Sequence, residues 1–248
     1  ALDLSSNGQL VSKMSFNMED ITVKQIPAEI CTNYKLQPNE KLLSISVPTS
    51  KHKDDIGLVG ILCSPPNSLI PEEKLISDPI TLMESPPPTH KLSLILHGKG
   101  GHKNYCYQAM LAQELATKLG IYSFRLDFRG CGDSQQNEDE SMGRMISQDI
   151  EDINLSLDVF SNGASFEEIG INLTTHSIVA HSRGSVAMMR WAIEEQKKLD
   201  KGEPNYRFVQ NLVNTAGRFN GKLLLDGLKI QASPEGYTLN QYRLGKYQ

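Results

Sequence analysis

The chain has 248 residues, 39% of them hydrophobic and 22% charged, and a formal net charge of -4. That length can bury a full core, and that composition excludes an intrinsically disordered chain. The mild negative charge gives no electrostatic case for nucleic acid or anionic membrane as a partner. No apolar run reaches a membrane span, and no basic-then-apolar leader opens the sequence.

Residues 1 to 20 are small and polar and predict a flexible lead-in. A core is expected over 21 to 220. Lys41 to Val47 and Gly57 to Cys63 predict two strands, with a hairpin loop from Thr49 to Asp55. Prolines bracket residues 64 to 90, which predict a surface insertion with a short helix near Pro71 to Leu75. Lys91 to Leu96 is a near-continuous apolar run, the pattern of a buried parallel strand. Tyr105 to Leu119 has helical spacing, and Ile121 to Phe128 predicts the next strand. From Met145 to Phe160, Ile146, Ile150, Ile153 and Leu157 alternate with acids, which predicts an amphipathic helix. Arg207 to Val213 predicts a last strand, and residues 221 to 248 the start of a cap, with Lys222 to Leu228 its first helix. Alternating strands and helices imply an α/β fold with a mostly parallel sheet and right-handed crossovers.

The most informative stretch runs from Ile171 to Trp191. A β-branched run leads to Ala180-His181-Ser182-Arg183-Gly184, and a helical pattern with Val186, Ala187 and Met189 on its apolar face follows. Met188, Met189 and Trp191 are expected to pack that helix. Strand, tight turn and helix lift a serine above the sheet edge. The Arg183 amide then stands at a helix N-terminus, where unpaired N–H groups and the dipole favour negative charge.

Two more glycine-rich turns follow predicted strands: His97-Gly98-Lys99-Gly100-Gly101, and Asp127-Phe128-Arg129-Gly130-Cys131-Gly132-Asp133-Ser134. Together the three resemble, in order and spacing, the α/β-hydrolase superfamily in its serine aminopeptidase-like and lipase-like branch, over residues 40 to 220. Ala180 stands where the family's G-x-S-x-G elbow has its first glycine. The resemblance implies a serine hydrolase acting on a small or lipid-like ester. Ser182 would be the nucleophile, the backbones of Lys99 (or Gly100) and Arg183 would form the oxyanion hole, and Gly98 and His102 would line the pocket. It implies no metal and no organic cofactor. Arg129 and Asp133 are expected to fix their loop by local ion pairing.

The pattern is incomplete. The family's order is serine, acid, histidine, yet all six histidines (His52, His90, His97, His102, His176 and His181) precede Ser182. Asp226 is a weak candidate acid, and His102 a weak candidate base. The family's C-terminal strands are missing after Val213. Either the remainder lies on a segment outside this chain, or the protein is hydrolase-like without a triad. In both cases a C-terminal segment or a dimer partner is expected to cover the exposed sheet edge. The alternatives to a hydrolase are a catalytically silent ligand-binding protein and an acyltransferase. Cys31, Cys63, Cys106 and Cys131 show neither C-x-x-C spacing nor a disulfide framework, so a reduced, cytoplasmic protein is expected.

Overall fold

The computed structural model describes residues 21–47, 56–66, 89–137, 144–161, 166–217, 230–233 and 236–239. The expectations for residues 1 to 20, the loop Thr49 to Asp55, Pro71 to Leu75, Lys222 to Leu228 and Asp226 lie outside them. The chain opens with β1 (Val23–Gln25), a short 3-10 turn (Ala28–Ile30), β2 (Glu40–Ile45) and β3 (Leu58–Cys63). The repeating units then begin: β4 (Thr89–Leu96), α1 (Gln108–Leu119), β5 (Tyr122–Leu126), α2 (Ile146–Ser161), a single turn α3 (Phe166–Ile169), β6 (Asn172–His181), α4 (Arg183–Asp200) and β7 (Asn211–Thr215). Beyond them, β8 (Ile230–Ser233) and β9 (Gly236–Leu239) pair with each other.

Seven strands form one sheet in the order β1-β2-β3-β5-β4-β6-β7. β2 and β3 pair as the expected antiparallel hairpin, from Glu40 opposite Cys63 to Ile45 opposite Leu58. β5, β4, β6 and β7 run parallel. Strand alternation sorts the helices onto two faces. Leu92, Leu94 and Leu96 of β4 join the larger core with Ile153, Leu157 and Phe160 of α2 and Ala187, Met188 and Trp191 of α4. Ile95 faces the other way, onto Ala112 and Ala116 of α1. The sheet is thus covered on both sides, as buried parallel strands require.

The connections place the site. From β4 the chain steps through α1 to β5 on one side. It then crosses back over β4 through α2 to reach β6 on the other. That reversal falls at the carboxyl ends of β4, β5 and β6, where the three glycine-rich loops lie.

Several boundaries differ from expectation. The strand over Thr89 and His90 takes the end of the expected insertion. β1 was not legible, having three residues and one buried side chain. α1 starts at Gln108, because Tyr105 first closes a turn onto the His102 carbonyl at 2.9 Å. β7 starts at Asn211 rather than Arg207. The Arg207 guanidinium forks onto both carboxylate oxygens of Asp158 at 2.7 Å, and its N–H donates to Glu195 at 2.5 Å. These bonds tie Arg207 to α2 and α4 instead of the sheet. Met188 and Trp191 pack the core, but Met189 is exposed. An amphipathic helix leaves its acids to solvent, yet Asp149 and Asp152 of α2 are buried.

Among the described residues no helix is long and apolar enough to cross a membrane. Among them, too, no strand pairs with the outer edge of β7.

Candidate active site

Ser182 occupies the sharp bend between β6 and α4, with φ 51° and ψ −114°. A non-glycine residue held at positive φ costs roughly 1–3 kcal/mol and persists only where its surroundings enforce it. Here the surroundings are tight on both sides. The Ser182 N–H donates to the Thr215 carbonyl of β7 at 2.8 Å. A Cβ at Gly184 would lie 2.6 Å from the His97 carbonyl oxygen, and one at Gly98 would lie 2.9 Å from the Ser182 Cβ. Glycine at these two positions therefore lets the loop after β4 close directly on the elbow. Ser182 stays partly exposed, and its Oγ makes no hydrogen bond among the described residues. Arg183 is the first residue of α4, so its N–H has no acceptor within the helix.

The loop after β4 is organised by one carbonyl. Gly98 O accepts from His97 Nδ1 at 2.8 Å, from Arg144 Nη1 at 3.3 Å and from the Gly101 N–H at 3.4 Å. A trans peptide points its C=O and N–H in opposite directions. With the Gly98 carbonyl held by three donors, the Lys99 N–H faces away from them. Lys99 and Gly100 are exposed, and Gly100 has a φ of 69°.

His97 is wholly buried and bridges two of the loops. Its Nε2 accepts the Phe128 N–H at 3.2 Å, so the proton sits on Nδ1 and is donated to Gly98. Burial, reinforced by the nearby Arg144 guanidinium, pushes its pKa down to about 3. The neutral ring is therefore a structural brace rather than a base.

The brace sets a pH prediction. The folded pKa lies below the unfolded value, so the unfolded chain binds the extra proton. His97 thus stabilises fully above about pH 6.5, and that stability is lost as pH falls toward 3. Compared with His97→Asn, the wild-type advantage in urea denaturation is expected to shrink by about 2 kcal/mol between about pH 7.5 and 5. A constant gap would contradict the brace.

The other expected site residues fall into place as follows. His102 is partly exposed, accepts the Asn104 N–H on Nδ1 at 3.3 Å and stacks edge-on with Tyr105 at 6.1 Å. His181 packs edge-on to Tyr107 at 6.0 Å, and its buried Nδ1 has no hydrogen-bond partner among the described residues. The Tyr107 hydroxyl is 2.6 Å from Thr215 Oγ1, which itself donates to the Ala180 carbonyl at 2.6 Å. His176 lies down the strand, bonded to Asn211 at 3.0 Å. Hence the structure brings Gly98 against Ser182, but no histidine of the described residues is bonded to the serine.

The loop after β5 is fixed by ion pairs, as expected, although its partners are not local. Arg129 Nε pairs with Asp152 at 2.6 Å and Arg129 Nη2 with Glu151 at 2.8 Å, both on α2. Asp133 pairs with Lys103, and both its oxygens accept the Thr32 N–H, at 3.1 and 3.3 Å. Lys103 is itself buried and pairs with Asp127 at 2.6 Å. Burial alone would lower the Lys103 pKa, but Asp127 and Asp133 outweigh it and hold the ammonium above the ordinary lysine value.

Sequence reasoning missed Arg144 and Asp149. Asp149 accepts from Arg144 Nε at 2.6 Å and from Arg183 Nε at 3.0 Å. Arg183 Nη2 also donates to the Arg144 carbonyl at 2.8 Å, and the Arg144 guanidinium lies 4.4 Å over the Phe128 ring. No group of acids, histidines and cysteines suited to a metal exists among the described residues.

No protein-family model matches the chain. It is 37% identical over 139 residues to the Saccharomyces cerevisiae protein YDL057W, a match covering 55% of this chain and 40% of that one. The chain thus spans well under half the length of this curated relative. Among solved structures it is similar to ferulic-acid-bound Est1E from Butyrivibrio proteoclasticus, with 19% identity, a TM-score of 0.40 and coverage of 56% of this chain and 45% of that one. It is also similar to dienelactone hydrolase from Anabaena variabilis, with 12% identity, a TM-score of 0.41 and coverage of 73% and 87%. A third likeness is the monoacylglycerol lipase of Paleococcus ferrophilus, with 18% identity, a TM-score of 0.34 and coverage of 58% and 42%. Strand order, the reversal at β4 and the sharp turn at Ser182 between β6 and α4 give the chain an α/β fold with a mixed, mostly parallel sheet.

Proposed function

We propose that the chain is a serine hydrolase acting on a small or lipid-like ester. The observation that carries this reading is the closure of the Gly98 loop on the strained Ser182 elbow. On this reading that closure would set the Ser182 hydroxyl, which makes no hydrogen bond among the described residues, near the Lys99 and Arg183 N–H groups. Ser182 Oγ would attack the ester carbonyl carbon while a base takes its proton, and the carbonyl oxygen would become an oxyanion. The Lys99 and Arg183 N–H groups would donate to that oxyanion, each such donor being worth roughly 3–4 kcal/mol in the transition state. Collapse expels the alcohol and leaves an acyl group on Ser182. Water then releases the acid; were a second alcohol to take its place, the same site would be an acyltransferase. Gly98 and His102 would line the acyl side of the site.

One observation favours a second reading. Ser182 Oγ makes no hydrogen bond to a histidine among the described residues, and a serine without a base is a poor nucleophile. On that reading the site holds a ligand without turning it over.

Kinetics of the full-length protein on p-nitrophenyl esters, from acetate to palmitate, separate the two. Saturable turnover supports the hydrolase. Saturable ester binding without turnover supports the silent binding protein.

A further inference from the structure

Resting on the hydrolase reading, we propose that the buried carboxylate of Asp149 is the positioning residue that sets both oxyanion donors at once. Asp149 lies in the first turn of α2, on neither the elbow nor the loop after β4. Its two oxygens are divided between two arginines: Oδ1 takes Arg144 Nε and Oδ2 takes Arg183 Nε.

Each arginine leads to one donor. Arg183 begins α4, so fixing its side chain fixes the first turn of the helix and the direction of the Arg183 N–H. Arg144 reaches the other arm, where its Nη1 donates to the Gly98 carbonyl. That carbonyl belongs to the same planar peptide as the Lys99 N–H, so holding one aims the other. The two arginines are also bonded to each other, through Arg183 Nη2 and the Arg144 carbonyl. Loop, elbow and α2 therefore meet on one carboxylate that is 1% exposed.

A purely structural ion pair would not need this geometry. One arginine would neutralise Asp149. The second adds a link to the opposite arm of the site. The Arg144 guanidinium is moreover held over the Phe128 ring, and the Phe128 N–H is taken by His97. Consequently the Gly98 peptide is clamped from two directions, by His97 at the end of β4 and by Arg144 from beside α2.

The test is a pair of variants of the full-length protein. Asp149→Asn keeps the shape and one acceptor but loses the charge. Arg144→Lys keeps a cation beside Asp149 but cannot span to Gly98, and folding of both variants is checked by circular dichroism. Both are expected to lower kcat on a p-nitrophenyl ester by about 10- to 100-fold, with KM changed less than about twofold, as loss of transition-state positioning requires. Exchange of the Gly101 amide, which donates to the Gly98 carbonyl, is expected to quicken about tenfold while β4 amides keep their rates. Wild-type kcat and Gly101 exchange in both folded variants would overturn the clamp. If the wild-type protein turns over no ester, the hydrolase reading fails separately. Gly101 exchange then decides the clamp alone: faster exchange supports it, and unchanged exchange overturns it.

Discussion

Ser182→Ala is expected to lower kcat on p-nitrophenyl esters by about 10⁴-fold or more, with little change in KM. The alanine keeps the elbow and removes only the attacking oxygen. What remains is binding and the oxyanion donors, which alone leave a small residual rate over water. The substitution also removes no hydrogen bond among the described residues, so stability should hold. Indeed, alanine meets the same positive-φ cost as serine, so the two chains should melt together. Retention of more than about a tenth of the wild-type rate would assign the chemistry elsewhere.

Lys103→Met is expected to cost about 3–5 kcal/mol of stability, read from urea denaturation. Lys103 is 1% exposed between Asp127 and Asp133, whose side chains are 0% and 6% exposed. Removing the ammonium leaves two carboxylates in the interior without their cation. The Lys103 N–H also donates to Asp127 at 2.5 Å, and the Asp133 N–H donates to Asp127 at 2.9 Å, so the variant keeps those contacts and loses the charge together with the Nζ hydrogen bonds to Asp127 and Asp133. Lys118 provides the contrast. It pairs with Glu114 on α1, but the two are 68% and 49% exposed. Solvent screens such a pair, and Lys118→Met should change stability by less than about 0.5 kcal/mol. Equal effects at the two lysines would contradict the buried cluster.

The strands of the inner sheet were legible because burial on both faces writes a near-continuous apolar run, as in Leu92 to Leu96. The three glycine-rich turns were legible for a related reason. Gly98 and Gly184 stand where another backbone or side chain passes within contact of the missing Cβ. A glycine at the end of an apolar run therefore marks a close approach that needs no knowledge of the neighbour.

What stayed hidden was held by contacts between distant residues. Asp149 and Arg144 sit on or beside a helix whose periodicity assigns its acids to solvent, and only the crossing of α2 over the elbow brings them to Arg183. Arg207 reads as the start of a strand by composition, yet Asp158 and Glu195 draw it to the helices. Lys103 reads as an ordinary loop lysine until the turn after β5 folds Asp127 and Asp133 around it. In each case a charge pairs across many residues, a choice that neither propensity nor local patterning encodes.

Peptide mapping of the full-length protein after reaction with a fluorophosphonate tests the central claim most directly. A presented, activated hydroxyl predicts one covalent adduct on Ser182, abolished in Ser182→Ala and slowed in Asp149→Asn. An unmodified Ser182 peptide, or an adduct of equal yield in Ser182→Ala, would contradict it.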